Sequence, residues 1–392
     1  DILQNPYVSQ GDTVSSINDD AGKLRQYLQY AYKYGGAKSV LFGGKDSIIP
    51  IRYGFRPYSP RRPEFFRNVP SDLYFSELNS SWNCDGDTLY GEWKENKDFG
   101  AELSVGRVLC SNTSEIANYT DKLLRYELNP GNGDYGYLKK ALYTQADQMQ
   151  SNHYADTIAA QLHDLFPQDS IMSEYPSYND PEPTFPTGGD VINAMNERYG
   201  FVSWFNHGSP YAVTTKSKNV MNNKYNGIIS ADEGGMGGMS HETENGNHSG
   251  SHNYNYLGNL TNKHYPMIVY SLACTITPFD VVKPHFIVHP NIGQTFTLGR
   301  DFGGPALIGN TRYGYRPASL DLQNKFNNYI DSLTIGEAQN MAKLSYRSTN
   351  SSEISHYITH SSNVIGGPNI RIWTDIPSLF GANADYSSSG IT

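Results

Sequence analysis

The sequence predicts an α/β protein built on a mostly parallel sheet covered by helices on both faces. Three observations carry that expectation. Short apolar, β-rich runs alternate with segments of helical period along most of the chain. Two of the runs, residues 201–206 and 267–273, read as buried strands bounded by turn signals. Each of those two delivers one reactive residue, His207 and Cys274. In an open parallel sheet, functional groups sit just beyond the carboxyl ends of the strands.

The elements follow in order. Residues 17–34 read as a helix, with Asp19 and Asp20 at its start, Leu24, Leu28 and Tyr32 spaced by four, and Gly35-Gly36 as the stop. Residues 39–42 form a strand running into Gly43-Gly44, and a proline-rich loop spans 50–70. Residues 101–108 are strand-like. Asn112 with Glu115 three residues later reads as an N-cap with its reciprocal acid, opening a helix that carries Ile116, Leu123 and Leu124 and ends near Glu127. Asn129-Pro130-Gly131-Asn132-Gly133 is the strongest boundary signal in the chain. The rhythm then restarts with a strand at 141–146, a helix face at Tyr154, Ile158 and Leu162, and a second face at Val191 and Met195 that feeds the His207 strand. After Cys274 come a strand at 306–309, helices near 318–330 and 335–347, and a last strand at 369–373. Between His207 and Cys274, residues 222–264 are crowded with Gly, Asn, Ser and His and lack apolar periodicity; such a loop is usually functional or mobile.

With 392 residues the chain is long enough for two domains or one large α/β unit. Its net charge of −9 argues against a basic nucleic-acid interface. No apolar run reaches the length of a membrane span, and the chain opens on Asp1 without a signal sequence, as a mature or trimmed polypeptide would. The 30 tyrosines, with abundant Asn and Gly, suit an exported bacterial protein. Three cysteines leave two readings open: Cys84 paired with Cys110, or three free thiols.

Histidine and cysteine at neighbouring strand ends are the equipment of thiol nucleophilic catalysis. A lone His is more often structural, and a lone Cys is more often a small buried hydrophobe. Here both follow buried-type runs. Gly208 after the His lets the backbone approach a substrate, and Thr275, Thr277 and Pro278 carry the chain out of the sheet after the Cys.

A hydrophobic block ending in His-Gly, then one ending in Ala-Cys, resembles the signature of the caspase–legumain–gingipain group of cysteine peptidases. Further segments are similar to the gingipain family: Val40-Leu41-Phe42-Gly43-Gly44-Lys45-Asp46 with Ile49-Pro50; Pro70-Ser71-Asp72-Leu73-Tyr74-Phe75; Asp85-Gly86-Asp87; Val105-Gly106-Arg107; Leu124-Arg125-Tyr126-Glu127; and Gly367-Pro368 before Ile372-Trp373-Thr374. The resemblance covers roughly residues 20–377. It implies a caspase-like unit of two α/β subdomains, residues 1–130 and a catalytic 131–377. Residues 378–392 would then be a tail or the start of an immunoglobulin-like domain. It also implies a secreted or cell-surface bacterial cysteine endopeptidase, monomeric, acting on protein or peptide substrates without an organic cofactor.

In that reading Cys274 is the nucleophile and His207 its acid–base partner. The backbone N–H groups of Gly208 and Cys274 form the oxyanion hole. Asp147, at the end of the 141–146 strand, stands where the family places the acid that orients the imidazole; the plainer reading is a helix cap. Asp156 and Asp164 read as helix-surface residues, so a preference for basic substrates does not carry over. Thr275 to Phe279 and Trp204 are candidate pocket residues. Two further functions stay open: a transpeptidase of the same fold, in which an amine resolves the acyl-enzyme, and a silent surface-binding module.

Asp85 and Asp87, with Glu92 and Asp98 nearby, offer hard oxygen ligands around a glycine turn, which suits Ca²⁺, although the EF-hand pattern is incomplete. Family members carry structural calcium, which favours an ion over a bare acidic turn. His241, His248, His252 and His264 lack the rigid spacing of a zinc site. His285 and His289 lack the glutamate of a zinc-protease motif.

Overall fold

Residues 8–56, 68–93, 99–173, 186–215, 228–231, 255–280 and 290–376 are described by the computed structural model. The apolar runs pair into one eight-stranded sheet: β1 (Ser39–Gly43), β2 (Ser104–Val108), β3 (Lys140–Gln145), β4 (Gln168–Ser173), β5 (Phe201–Phe205), β6 (Ile268–Ser271), β7 (Ala306–Asn310) and β8 (Ser362–Gly366). Their spatial order is β1-β2-β8-β7-β6-β5-β3-β4. The strands β1, β2 and β8 run parallel, as do β7, β6, β5, β3 and β4. The two sets meet antiparallel between β7 and β8, from Ala306 opposite Gly366 to Asn310 opposite Ser362.

Among the described residues eight longer helices accompany the sheet: α1 (Asp20–Gly35), α2 (Thr113–Leu128), α3 (Tyr154–Leu162), α4 (Gly188–Met195), α5 (Ile292–Leu298), α6 (Arg316–Asn327), α7 (Ile335–Thr349) and α8 (Glu353–Ser361). Alternate side chains of one strand feed two different cores, as the period of two requires. Ala141, Tyr143, Phe201, Phe205, Ile268, Tyr270, Ala306 and Ile308 pack with α3, α6, α7 and α8. Leu142, Val202, Trp204, Val269 and Leu307 pack with α4 and α5. Buried on both faces, these strands read as continuous apolar runs.

Helix starts follow local chemistry. The Asp19 carboxylate accepts from Gly22 N–H, and the Asn112 side chain accepts from Glu115 N–H. Thr187 with Asp190, and Thr334 with Glu337, form reciprocal capping boxes.

The strand expected at 369–373 is not there; the strand of that region is β8. Proline at 368 removes a ladder donor, and Gly366 turns the chain at φ 108°. The carbonyls beyond it serve a helix instead: Ile335 N–H donates to Ile370 O at 2.8 Å and Gly336 N–H to Pro368 O at 2.7 Å. Ile370 and Ile372 are still buried, which explains their apolar pattern. The edge strand β4 escapes the sequence reading because its first four residues are exposed and only Ile171 among them is apolar. Of the 222–264 segment, only 228–231 and 255–264 are described. Ile228–Ser230 and Asn255–Tyr256 join His207–Ser209 and Ala212–Thr214 in a small four-stranded sheet. The tail beyond 376 lies outside the described residues.

Candidate active site

Three adjacent parallel strands build one rim. The register sets Gln145 beside Phe205 and Ser271 beside Trp204. The pairing continues past the strand ends, with Ala146 N–H donating to Phe205 O and Leu272 N–H to Trp204 O. Asp147, His207 and Cys274 are the residues that emerge two or three positions beyond β3, β5 and β6.

His207 Nε2 lies 3.0 Å from Asp147 Oδ2, a hydrogen-bonded ion-pair geometry. The imidazole is 45 % exposed and the carboxylate 19 %, so the ring faces solvent while its partner is sheltered. Gly208 runs against the nucleophile's loop. A Cβ there would meet Ala273 Cβ at 2.8 Å and Cys274 O at 2.9 Å, so only glycine lets these backbones approach. Cys274 is half-buried. Gly314 N–H, in the loop after β7, donates to its Sγ at 3.3 Å.

The residue after the thiol is strained. Thr275, β-branched and buried, has φ 53°, a conformation that costs on the order of 1–3 kcal/mol and persists only where its surroundings impose it. Thr275 N–H donates to Arg312 O at 2.6 Å, Thr277 N–H to Asn310 O at 3.2 Å, and Gly293 N–H to Ile276 O at 3.0 Å. Arg312 is itself locked, gripping Asp280 through two nitrogens at 3.0 and 2.6 Å. Tyr53 O–H also donates to Asp280, at 3.2 Å. Burial, then the Asp280 charge, raise the ionisation of that phenol well above the ordinary range.

Trp204 does not line a pocket. It is fully buried in the core with an edge-to-face contact to Phe296, because on β5 it alternates with the residues of the opposite core. Thr275, Ile276, Thr277 and Phe279 are buried as well, leaving Cys274 and Asp280 as the accessible ends of that loop. Sequence reasoning missed Gly314, Arg312 and Asp280; a glycine shortly after the carboxyl end of β7 was the available signal.

None of the three cysteines is in a disulfide; Cys84 is exposed and Cys110 buried. Asp85, Asp87 and Glu92 each bring one carboxylate oxygen within 4.8 Å of the others. Gly86 makes the turn at φ 79°. Three hard oxygen donors around a tight turn fit a calcium ion better than a soft metal. Asp98 and the histidines of 241–252 and 285–289 lie outside the described residues, and His264 is exposed.

A family model described as peptidase family C25 matches residues 3–373. Three solved structures are similar in fold. A complex of the pro- and mature domains of RgpB from Porphyromonas gingivalis is 16% identical, matched over 94% of this chain and 73% of that one, with a TM-score of 0.62. The Arg-specific cysteine proteinase gingipain R (RgpB) is 16% identical over 94% and 72%, at 0.61. A structure described as a protease is 16% identical over 95% and 72%, at 0.63. No curated protein sequence matches the chain.

Proposed function

This chain belongs to peptidase family C25 and is a cysteine peptidase, and from that premise we propose that it is an endopeptidase working through Cys274 and His207. One observation carries the proposal: three neighbouring strand ends place a carboxylate, an imidazole and a thiol on one rim, with His207 3.0 Å from Asp147.

The chemistry follows from the partners. Asp147 holds Nε2–H of His207, which leaves Nδ1 to take and return the proton. The thiolate is the attacking form, and an unperturbed thiol of pKa about 8.5 is mostly protonated at neutral pH. Deprotonated with the help of His207, Cys274 attacks the scissile carbonyl. The C–N bond breaks as the imidazolium returns its proton to the leaving amine, and water then resolves the thioester. The N–H groups of Gly208 and Cys274 stabilise the oxyanion; one such donor is worth about 3 kcal/mol. Gly314 N–H, directed at Sγ, favours the thiolate for the same electrostatic reason.

In this reading the enzyme works outside the cell or on a bacterial surface, as a monomer, with subdomains 1–130 and 131–377. Likeness to the gingipain fold and the Tyr- and Asn-rich composition support the location. Among the described residues, no helix is long and apolar enough to cross a membrane. A calcium ion held by Asp85, Asp87 and Glu92 would be structural.

The test is cleavage of a fluorogenic peptide library by the parent and by Cys274→Ala and His207→Ala. Both variants should lose at least about 10³-fold in kcat/KM while their melting temperatures stay within about 2 °C of the parent. A thiol-directed peptide ketone should label the parent and not Cys274→Ala. Equal labelling, or unfolding of both variants, would make these residues core packing and sink the reading.

A further inference from the structure

Tyr315, next in the chain after Gly314, belongs to a cluster that the peptide chemistry above does not use. The Arg56 guanidinium lies 4.7 Å from the ring centre of Tyr357 and 5.1 Å from that of Tyr315. The two rings meet edge-on at 5.4 Å. Among the described residues Arg56 makes no ion pair, so the rings hold a cation without neutralising it. Tyr357 is 2 % exposed, and its hydroxyl has no hydrogen-bond partner among the described residues. A buried O–H donor left without an acceptor is costly and calls for an explanation.

The cluster joins the nucleophile's surroundings through Tyr315. Tyr315 directly follows Gly314, whose N–H touches Sγ. Burial, above all, raises the ionisation of the Tyr357 phenol and keeps it protonated, with smaller electrostatic effects from Arg56, Tyr315, Arg312 and Cys274. Among the described residues, two carboxylates of this region are already committed. Asp280 is gripped by Arg312 and Tyr53, and Asp147 is bonded to His207. A guanidinium donates only, a protonated phenol can donate its O–H, and a carboxylate accepts only.

We propose that Arg56 and Tyr357 form a subsite beside Cys274 that takes the carboxylate of an acidic substrate residue. The peptidase then prefers Asp or Glu close to the scissile bond. This inference deepens the endopeptidase reading and rests on it.

The experiment compares peptides that differ only as Asp against Asn, or Glu against Gln, at each of the two residues on either side of the scissile bond. The parent should cleave the acid at least about 10-fold better in kcat/KM than its isosteric amide at one of these positions. Arg56→Gln should bring that ratio near one, and Arg56→Lys should keep part of it. Tyr357→Phe, which keeps the ring and removes the donor, should lower it several-fold. High salt should reduce the parent's ratio too. A parent ratio at or below one throughout, or an unchanged ratio in Arg56→Gln and Tyr357→Phe, overturns the subsite and leaves the peptidase reading intact. A parent that cleaves none of the peptides removes both.

Discussion

Asp147 is the residue whose role is open to the cleanest single test. Its backbone has φ 52°, a region Asn tolerates nearly as well as Asp. Asp147→Asn therefore keeps the turn and removes the charge facing His207. Turnover should fall by about 10²-fold, less than in Cys274→Ala or His207→Ala. A steady-state assay giving the parental rate would leave Asp147 without a part in turnover; it does not cap the short helix that follows, whose N-cap is Ala146. At this scale the sequence was informative where a reactive side chain followed an apolar run. His207, Cys274 and Asp147 each stand at such a place. Arg56 and Tyr357 do not: one lies in a loop and the other on a helix far along the chain, and nothing local in their segments says that they meet; Arg312 and Gly314 share the loop after β7, where the glycine was the local signal. Two of the gingipain-like segments prove to be one structural contact, since Arg107 pairs through two nitrogens with Asp72 at 3.1 and 2.7 Å in the core.

The helix α7 carries a buried cation with a measurable consequence. Lys343 is 4 % exposed, beside Asp72 and Asn363 between α7 and the sheet. Burial lowers its pKa to about 7, against the partial opposition of the Asp72 charge. Unfolded, the amine titrates near 10.4. Between these values the unfolded chain binds the extra proton, so stability rises as pH climbs from about 7 to about 10. Below pH 7 both states are protonated and the full penalty of a buried charge applies. Lys343→Met should therefore stabilise the protein at pH 6 by on the order of 4 kcal/mol, with the difference shrinking toward pH 10. Urea denaturation at pH 6 and pH 9 measures it; equal stabilisation at both would mean the gain is packing alone. Elements with strong local signals, such as α1, α2, α7 and the central strands, were legible in the sequence. The exposed edge strand β4, the helix α5 and the strand β8 were not, because they are defined by what they pair or pack with.

Over the whole molecule, the decisive feature is where β8 lies. This late strand sits between β2 from the N-terminal region and β7, and so joins two parallel sets into one sheet. The acidic loop is tied across the same junction. His356 on α8 donates to Gly91 O at 2.9 Å, Trp82 packs edge-on against His360 at 5.0 Å, and Trp93 donates to Ser351 O at 3.0 Å. An ion held by Asp85, Asp87 and Glu92 would thus stabilise the fold globally. EDTA should lower the melting temperature by about 5 °C, excess Ca²⁺ should restore it, and Asp85→Asn with Asp87→Asn should abolish the difference. Superimposable melting curves with and without EDTA would rule the ion out. From the sequence alone came the alternation of strands and helices, the paired strand ends bearing His207 and Cys274, and the family resemblance. These depend on near-neighbour periodicity and on the order of short segments. Only the tertiary structure decided which strands lie side by side, that 369–373 is a loop, that Trp204 is core, and that Arg56 packs on the rings of Tyr315 and Tyr357. Those outcomes depend on long-range pairing and competition for burial, which one stretch of chain does not encode.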